Sequence, residues 1–412
     1  MANLLGMVLF ALAILISVSL HEAGHLLTAK AFGMKVTRYF VGFGPTLWSF
    51  RRGETEYGLK GIPLGGFCKI VGMTPQDDDI EPADQPRAMW RYPVWKRTIV
   101  MSAGSITHFG LALVAIWLAA MFMGLPNKAL EGPVPAYVKV TNCVVTSETQ
   151  RDCQAGDPVS PAKQAGLRDD DKILAINGTT VATNLDLIKQ IRALPPGPAT
   201  IRYERDGVTG EVHADLAAVQ RRPLDNPQGD PTTVSALGVE IMALPPGVPM
   251  VVKYGPVDAL GATTDYTGKL AVGTYESMKR IPQKVPALWT AITGGERAID
   301  TPISVVGATR LGGEAVQHNA WELFVSLFIG LNFFIGVFNL LPLLPLDGGH
   351  IAISWFERVR SWLYARLRRP DPGRVDYLKL MPITYAVILI GGAFTLLTIT
   401  ADVVNPITIF SR

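Results

Sequence analysis

The chain has 412 residues, a mean hydropathy of +0.25 and 18% charged residues, where ordinary soluble proteins carry about 25%. Its net charge of +3 is small and its basic residues are spread over loops, which argues against nucleic acid as a partner. Three cysteines with no C-x-x-C pair are too few for a disulfide scaffold; the length allows two domains, or a membrane domain with a soluble insert.

Residues 1 to 20 carry no charge, and Leu4 to Leu20 is almost unbroken hydrocarbon. A secretory signal would start with basic residues and end at a small-residue cleavage site. With neither present, this stretch is expected to stay as a first membrane span, since a span needs about 20 apolar residues. His21-Glu22-Ala23-Gly24-His25 follows directly. Histidines at i and i+4 face one side of a helix, so both imidazoles can reach one zinc ion. Glu22 then lies beside the metal, placed to take a proton from water.

Further on, Tyr57 to Gly61 and Gly66 to Val71 read as short strands around a turn at Ile62-Pro63-Leu64-Gly65. An exposed strand edge there would offer unpaired backbone groups to an unwound substrate. The alternative is a purely structural hairpin resting on the membrane. Ile99 to Leu125 is expected as the second span, with Ser102, Ser105 and His108 blurring its start.

Residues 262 to 320 are amphipathic, suited to lying along the membrane surface or to packing as a linker on the preceding domain. The third span is expected at Trp321 to Leu346 and the fourth at about Leu380 to Ile399. A catalytic zinc usually has three protein ligands and an open position. Asp347 is the only acidic residue between Glu322 and Glu357, and it ends the third span. Asp347-Gly348-Gly349 is also ordinary turn chemistry; its depth is what singles the aspartate out. Lys and Arg crowd the loop from Lys30 to Arg97 and the loop from Arg358 to Lys379. Such loops are cytoplasmic, so both termini and residues 126 to about 300 are expected outside. His21, His25 and Asp347 then reach the same cytoplasmic depth.

These motifs resemble the site-2 protease family of intramembrane zinc metalloproteases, in its RseP-type bacterial branch. The resemblance rests on His21-Glu22-x-x-His25 on the first span and Asn339-x-x-Pro342-x-x-x-x-Asp347-Gly348 on a later one. Gly42-Phe43-Gly44-Pro45 resembles the loop after the first span, and Pro63 to Lys69 the family's membrane-associated β-hairpin. Asn405-Pro406 resembles the family's C-terminal end. Ser160 to Leu167 followed by Lys172 to Gly178 resembles a bacterial PDZ domain, departing from it where Asp170 stands in place of a usual glycine. Within that stretch the residues predict a strand at Ile173 to Ile176, a helix at Asn184 to Ala193, and strands at Ala199 to Tyr203 and Val208 to Leu216.

The resemblance implies a multi-pass α-helical membrane protein of four spans, with a membrane-associated β-hairpin and one α+β PDZ-like external domain. The expected boundaries are 1–125, 126–245, 246–320 and 321–412. It further implies one Zn2+ held by His21, His25 and Asp347, with Glu22 as general base. Substrate contacts would come from Asn339, Gly65, Gly66, Phe67 and Cys68. The implied activity is regulated intramembrane proteolysis in the inner membrane. The partners are the lipid bilayer and a single-span membrane protein, such as a pre-trimmed anti-sigma factor. The PDZ-like domain would bind an extended peptide or act as a size filter. Cys143 and Cys153, on the oxidising side, are expected to form a disulfide and Cys68 to stay free. A membrane-anchored protease working in water would carry its motif in a polar segment, and an inert scaffold would lack Glu22 or Asp347.

Overall fold

The computed structural model describes residues 1–73, 80–146, 152–224, 230–242 and 244–410. In chain order, α1 (Ala2–Ala31) is followed by β1 (Val36–Arg52), β2 (Thr55–Ile70) and α2 (Val94–Phe122). Next come β3 (Leu125–Pro126), β4 (Tyr137–Val140), α3 (Pro161–Gln164), β5 (Asp171–Ile176) and β6 (Thr179–Thr180). Then α4 (Asn184–Ala193), β7 (Gly197–Arg205), β8 (Val208–Arg221), β9 (Thr232–Ala236), β10 (Val239–Ile241) and β11 (Val251–Val252). The chain closes with α5 (Asp258–Ile292), α6 (Val305–Gln317), α7 (Trp321–Asn339), α8 (Asp347–Arg366) and α9 (Met381–Val404). It divides into a helical unit, 1–123 with 253–412, and a β-rich unit, 124–252.

In the helical unit, α1, α2, α7 and the segment Tyr377–Val404 are long and apolar enough to cross a membrane. The chain is a multi-pass membrane protein. The H-E-x-x-H residues continue α1 without a break, so their side chains inherit its orientation. In α2 the polar residues that blur the sequence signal are helical, and Ser105 and His108 face inward, buried.

Three expectations are corrected here. The third apolar helix ends at Asn339, not Leu346. Pro342 and Pro345 lack an N–H and disfavour α backbone in the residue before them, so 340–346 turns instead. The hairpin's turn is at Gly53-Glu54, and Ile62 to Gly65 lies within the single long strand β2. The Pro-Gly cluster bends that strand rather than ending it. Residues Arg38 to Val41 of β1 therefore pair on one side with Gly66 to Lys69 and on the other with Glu56 to Leu59. This leaves Gly66 to Ile70 at an edge of the sheet. Finally, the amphipathic stretch forms two helices, α5 and α6, that belong to the helical unit. α5 packs on α2 and α9, and α6 packs closely on α1. Loop residue Arg297 and Asp402 of α9 form a fully buried ion pair of 2.7 Å. Asp402 also accepts from the Ser304 N–H at the start of α6.

The β-rich unit is a seven-stranded sheet in the order β10-β4-β5-β7-β8-β9, with β6 beside β5. Its core includes Val138, Ile173, Ile176, Leu187, Ile191 and Ile201. The strands and helix expected at 173–176, 184–193, 199–203 and 208–216 lie within β5, α4, β7 and β8. Asp170 takes the left-handed backbone, φ 70°, which aspartate tolerates better than most residues. Cys143 and Cys153 are joined, S–S 2.06 Å, and Cys68 is free; residues 147–151 between the pair lie outside the described residues.

Candidate metal centre

α1 and α2 cross at small residues, which let two backbones approach. A Cβ on Gly24 would stand 2.7 Å from the Ala103 carbonyl oxygen. A Cβ on Gly104 would stand 2.3 Å from Cε1 of His21, so the His21 ring packs directly on the α2 backbone. His21 and His25 are both buried. Nδ1 of His25 lies 2.7 Å from the Val100 carbonyl. A carbonyl can only accept, so Nδ1 carries the proton and Nε2 is left bare for a metal.

Asp347 arrives from the other end of the chain as the first residue of α8. A Cβ on Gly348 would stand 2.3 Å from the Leu340 and Leu341 carbonyl oxygens. The tight return that presents Asp347 therefore needs glycine next to it. Its Oδ2 is 3.4 Å from Nε2 of His21 and 3.4 Å from Nε2 of His25, and the two nitrogens are 3.1 Å apart. A tetrahedral zinc with bonds of about 2.0–2.1 Å holds its ligands roughly 3.3–3.4 Å apart, close to this triangle. Asp347 Oδ2 is buried with no hydrogen-bond partner among the described residues. An unsatisfied buried acceptor is costly, and a cation at the triangle would remove the cost. Burial alone would raise the Asp347 pKa, but the two imidazoles beside it prevail and hold the carboxyl well below the usual range.

Glu22 stands beside this triangle, next to His21 on α1. The Cys68 backbone at the edge of β2 hydrogen-bonds its carboxylate. A Cβ on Gly66 would stand 3.2 Å from Glu22 Cγ, so strand and helix touch here. The Tyr39 hydroxyl of β1 donates to the Ser19 carbonyl of α1, 2.8 Å away, and fastens the sheet to the helix. A cavity of about 160 Å³ opens at the four residues, walled by Phe67, Cys68, Ile70, Met73 and Met101. Asn339 ends α7 and is not part of that wall, and Gly65 packs against the Phe43 ring.

The structure adds a pair that motif reading passed over. The His108 ring is 5.1 Å from that of His21, and its Nδ1 is 2.8 Å from Asn332 Oδ1 on α7. Asn332 in turn donates to the Phe328 carbonyl. Polar residues at membrane depth are expensive and tend to be functional; that was the available signal.

Residues 9–368 match the family model described as peptidase family M50, a span that takes in both ends of the triangle. The chain belongs to peptidase family M50. It is similar to the zinc metalloprotease Rip1 of Mycolicibacterium smegmatis, 45% identical over 98% of this chain and 99% of the relative. Rip1 of Mycobacterium tuberculosis is 44% identical over 98% of each chain. Membership of M50, the site-2 protease family, makes the chain a zinc metalloprotease with Zn2+ as its cofactor.

Proposed function

We propose that the chain cuts single-span membrane proteins at membrane depth, with His21, His25 and Asp347 holding the zinc and Glu22 as general base. The observation that carries this reading is the triangle of two Nε2 atoms and Oδ2, with sides of 3.1 to 3.4 Å, at the end of an apolar helix. When bound, zinc supplies a Lewis acid that acidifies water and polarises the scissile carbonyl. Glu22 takes the proton as water attacks that carbon. As the C–N bond breaks, Glu22 returns the proton to the departing amine. The Cys68 N–H keeps the Glu22 carboxylate turned toward the triangle in the resting enzyme.

A helical substrate cannot present its carbonyl, because that oxygen is already bonded within the helix. It must unwind, and unpaired backbone groups are costly at low dielectric. The β2 edge at Gly65 to Cys68 is the proposed place where unwound substrate pairs, since Phe67 and Cys68 wall the cavity. Asn339 is proposed to hold substrate backbone by family resemblance alone. A pre-trimmed anti-sigma factor or similar signalling protein is the substrate class that resemblance suggests. In the proposed orientation the site lies near the cytoplasmic face, and both termini and the β-rich unit lie outside. The basic loops support this, as does a disulfide in the β-rich unit beside a free Cys68 in the helical unit. The β-rich unit is proposed as a PDZ-like module, its β10 edge open to an extended peptide.

The test is purified protein in liposomes with a single-span substrate. Wild type should carry about one zinc per chain. Glu22→Gln should keep that zinc and lose roughly 100- to 10,000-fold in cleavage rate. Undiminished cleavage by Glu22→Gln would overturn the mechanism.

A further inference from the structure

We propose that α8 is a lipid-docking arm whose apolar face sits in the headgroup boundary of the adjacent leaflet and whose basic end binds anionic headgroups, and that this seating holds Asp347 in place. The last clause rests on the zinc reading above; the docking does not. Trp355, Phe356, Val359, Trp362, Leu363 and Leu367 are each 46 to 58% exposed. At 100° per residue they fall in one sector roughly 140° wide. The opposite face is occupied. Arg97 of α2 donates to Ser354 and pairs with Glu357 at 3.1 Å, and the Val375 N–H donates to Glu357. One face of α8 is thus bolted to the protein; at the edge of the other, Trp355 Nε1 donates to Thr98 Oγ1 of α2 at 3.0 Å and the Arg360 guanidinium lies over the Phe356 ring, while the stripe itself stays about half exposed.

Charge says what covers it. Arg366, Arg368 and Arg369 close the helix and are exposed. Among the described residues none of them has a carboxylate partner; Arg366 lies over the Trp362 ring at 5.6 Å. An amphipathic helix with tryptophan on one face and arginine around it is suited to the interface of an anionic membrane. Position agrees: only residues 340–346 separate α8 from the membrane helix α7, and its return leads into Tyr377–Val404, the next one. The covalent order then makes the docking consequential, because the first residue of the arm is Asp347. Rocking α8 displaces that carboxylate relative to His21 and His25, which belong to a different helix.

The experiment uses the full chain in nanodiscs of phosphatidylcholine, with or without phosphatidylglycerol. Both leaflets are then alike, so the result does not depend on which side α8 occupies. Spin labels at Val359→Cys and Ser361→Cys report depth, with the parent protein correcting for Cys68. The label at 359 should be accessible to oxygen and shielded from aqueous nickel, and that at 361 the reverse; aqueous access at both sites would overturn docking, whether the stripe is bare or meets a soluble partner. Phosphatidylglycerol should deepen the label at 359, and Arg366→Gln/Arg368→Gln/Arg369→Gln should abolish that response. Each arginine near an anionic surface is worth a factor of about five. A depth unaffected by phosphatidylglycerol in the wild type would overturn the anionic contact. Zinc loss to a chelator should be severalfold slower with phosphatidylglycerol in the wild type and insensitive to lipid in the triple variant; wild-type loss insensitive to lipid would overturn the link to Asp347. Docking together with full zinc retention by Asp347→Ala would instead count against Asp347 as a ligand, and so against the zinc reading.

Discussion

Gly104→Ala isolates the α1–α2 crossing as the device that places His21. The added methyl would lie 2.3 Å from Cε1 and 2.5 Å from both ring nitrogens. Ordinary contact needs about 3.4 Å or more, so ring or helix must retreat by roughly 1 Å. A zinc ligand tolerates about 0.2 Å, and the displacement is roughly five times that. Changes that only misorient a ligand cost about 10- to 100-fold in metal affinity, and this one moves the ligand itself. We expect at least that loss in a chelator competition, sub-stoichiometric zinc on purification, and cleavage that falls in proportion. Gly110→Ala is the control on the same helix, where a Cβ meets nothing within 4 Å. It should keep wild-type zinc and activity, and gain up to about 1 kcal/mol from helix propensity. If Gly104→Ala holds one zinc against chelator as well as wild type does, the crossing does not position His21.

Asp402→Asn should lower the thermal unfolding midpoint in detergent, because it leaves the Arg297 guanidinium buried without a counter-charge, at a cost of about 3–5 kcal/mol. Arg297→Met combined with Asp402→Leu should cost less than the two single changes added; a strictly additive double variant would show that the pair does not act as a unit. Burial, with the Glu22 charge beside it, pushes the Cys68 thiol well above its ordinary value, so its thiolate is scarcer at any given pH. Iodoacetamide at pH 8 should therefore label native Cys68 far more slowly than a free cysteine, and raising the pH to 9 should still leave it behind. Labelling of the native protein at the free-cysteine rate would contradict this. Denatured without reductant, the chain should take up one label, since Cys143 and Cys153 are bridged.

What could be read in advance were features whose cause is local. His21 and His25 were legible because helical geometry alone sets i and i+4 on one face, and Asp347 because no other carboxylate stands near it in sequence. The features misread depend on distant partners. Pro63 and Gly65 look like a turn, yet β2 runs through them because Arg38 to Val41 pairs with both of its halves. Apolar character continues past Asn339 to Leu346, so hydropathy could not show that two prolines end α7. Residues 258–317 carry an amphipathic pattern that suits a membrane surface as well as a helix packed on α2 and α9, and composition does not separate the two. His108 meets Asn332 across 224 residues, and nothing in either neighbourhood names the other.

The distribution of satisfied and unsatisfied polar groups in the helical unit points to where its chemistry is. A polar side chain inside an apolar bundle costs free energy unless it is hydrogen-bonded. Most here are closed off. His108 is held by Asn332, His25 by the Val100 carbonyl, and Arg297 by Asp402, Thr301 and backbone oxygens. Among the described residues of this unit the buried exceptions are His21 Nδ1, Asp347 Oδ2, Ser105 Oγ and, on α8, Arg360 Nε. Asp347 Oδ2 is a vertex of the triangle, His21 Nδ1 is the second nitrogen of a ring whose Nε2 is another vertex, and Ser105 follows Gly104, on which the His21 ring rests. Each open group costs about 1–3 kcal/mol, a burden that a bundle able to close its other pairs would not carry without return. With zinc held as proposed, the return would be a divalent cation, with the bare Asp347 oxygen and the two Nε2 atoms as its ligands. In that reading the cation would tie α1 to α8, and metal binding would add to the stability of the fold at this site.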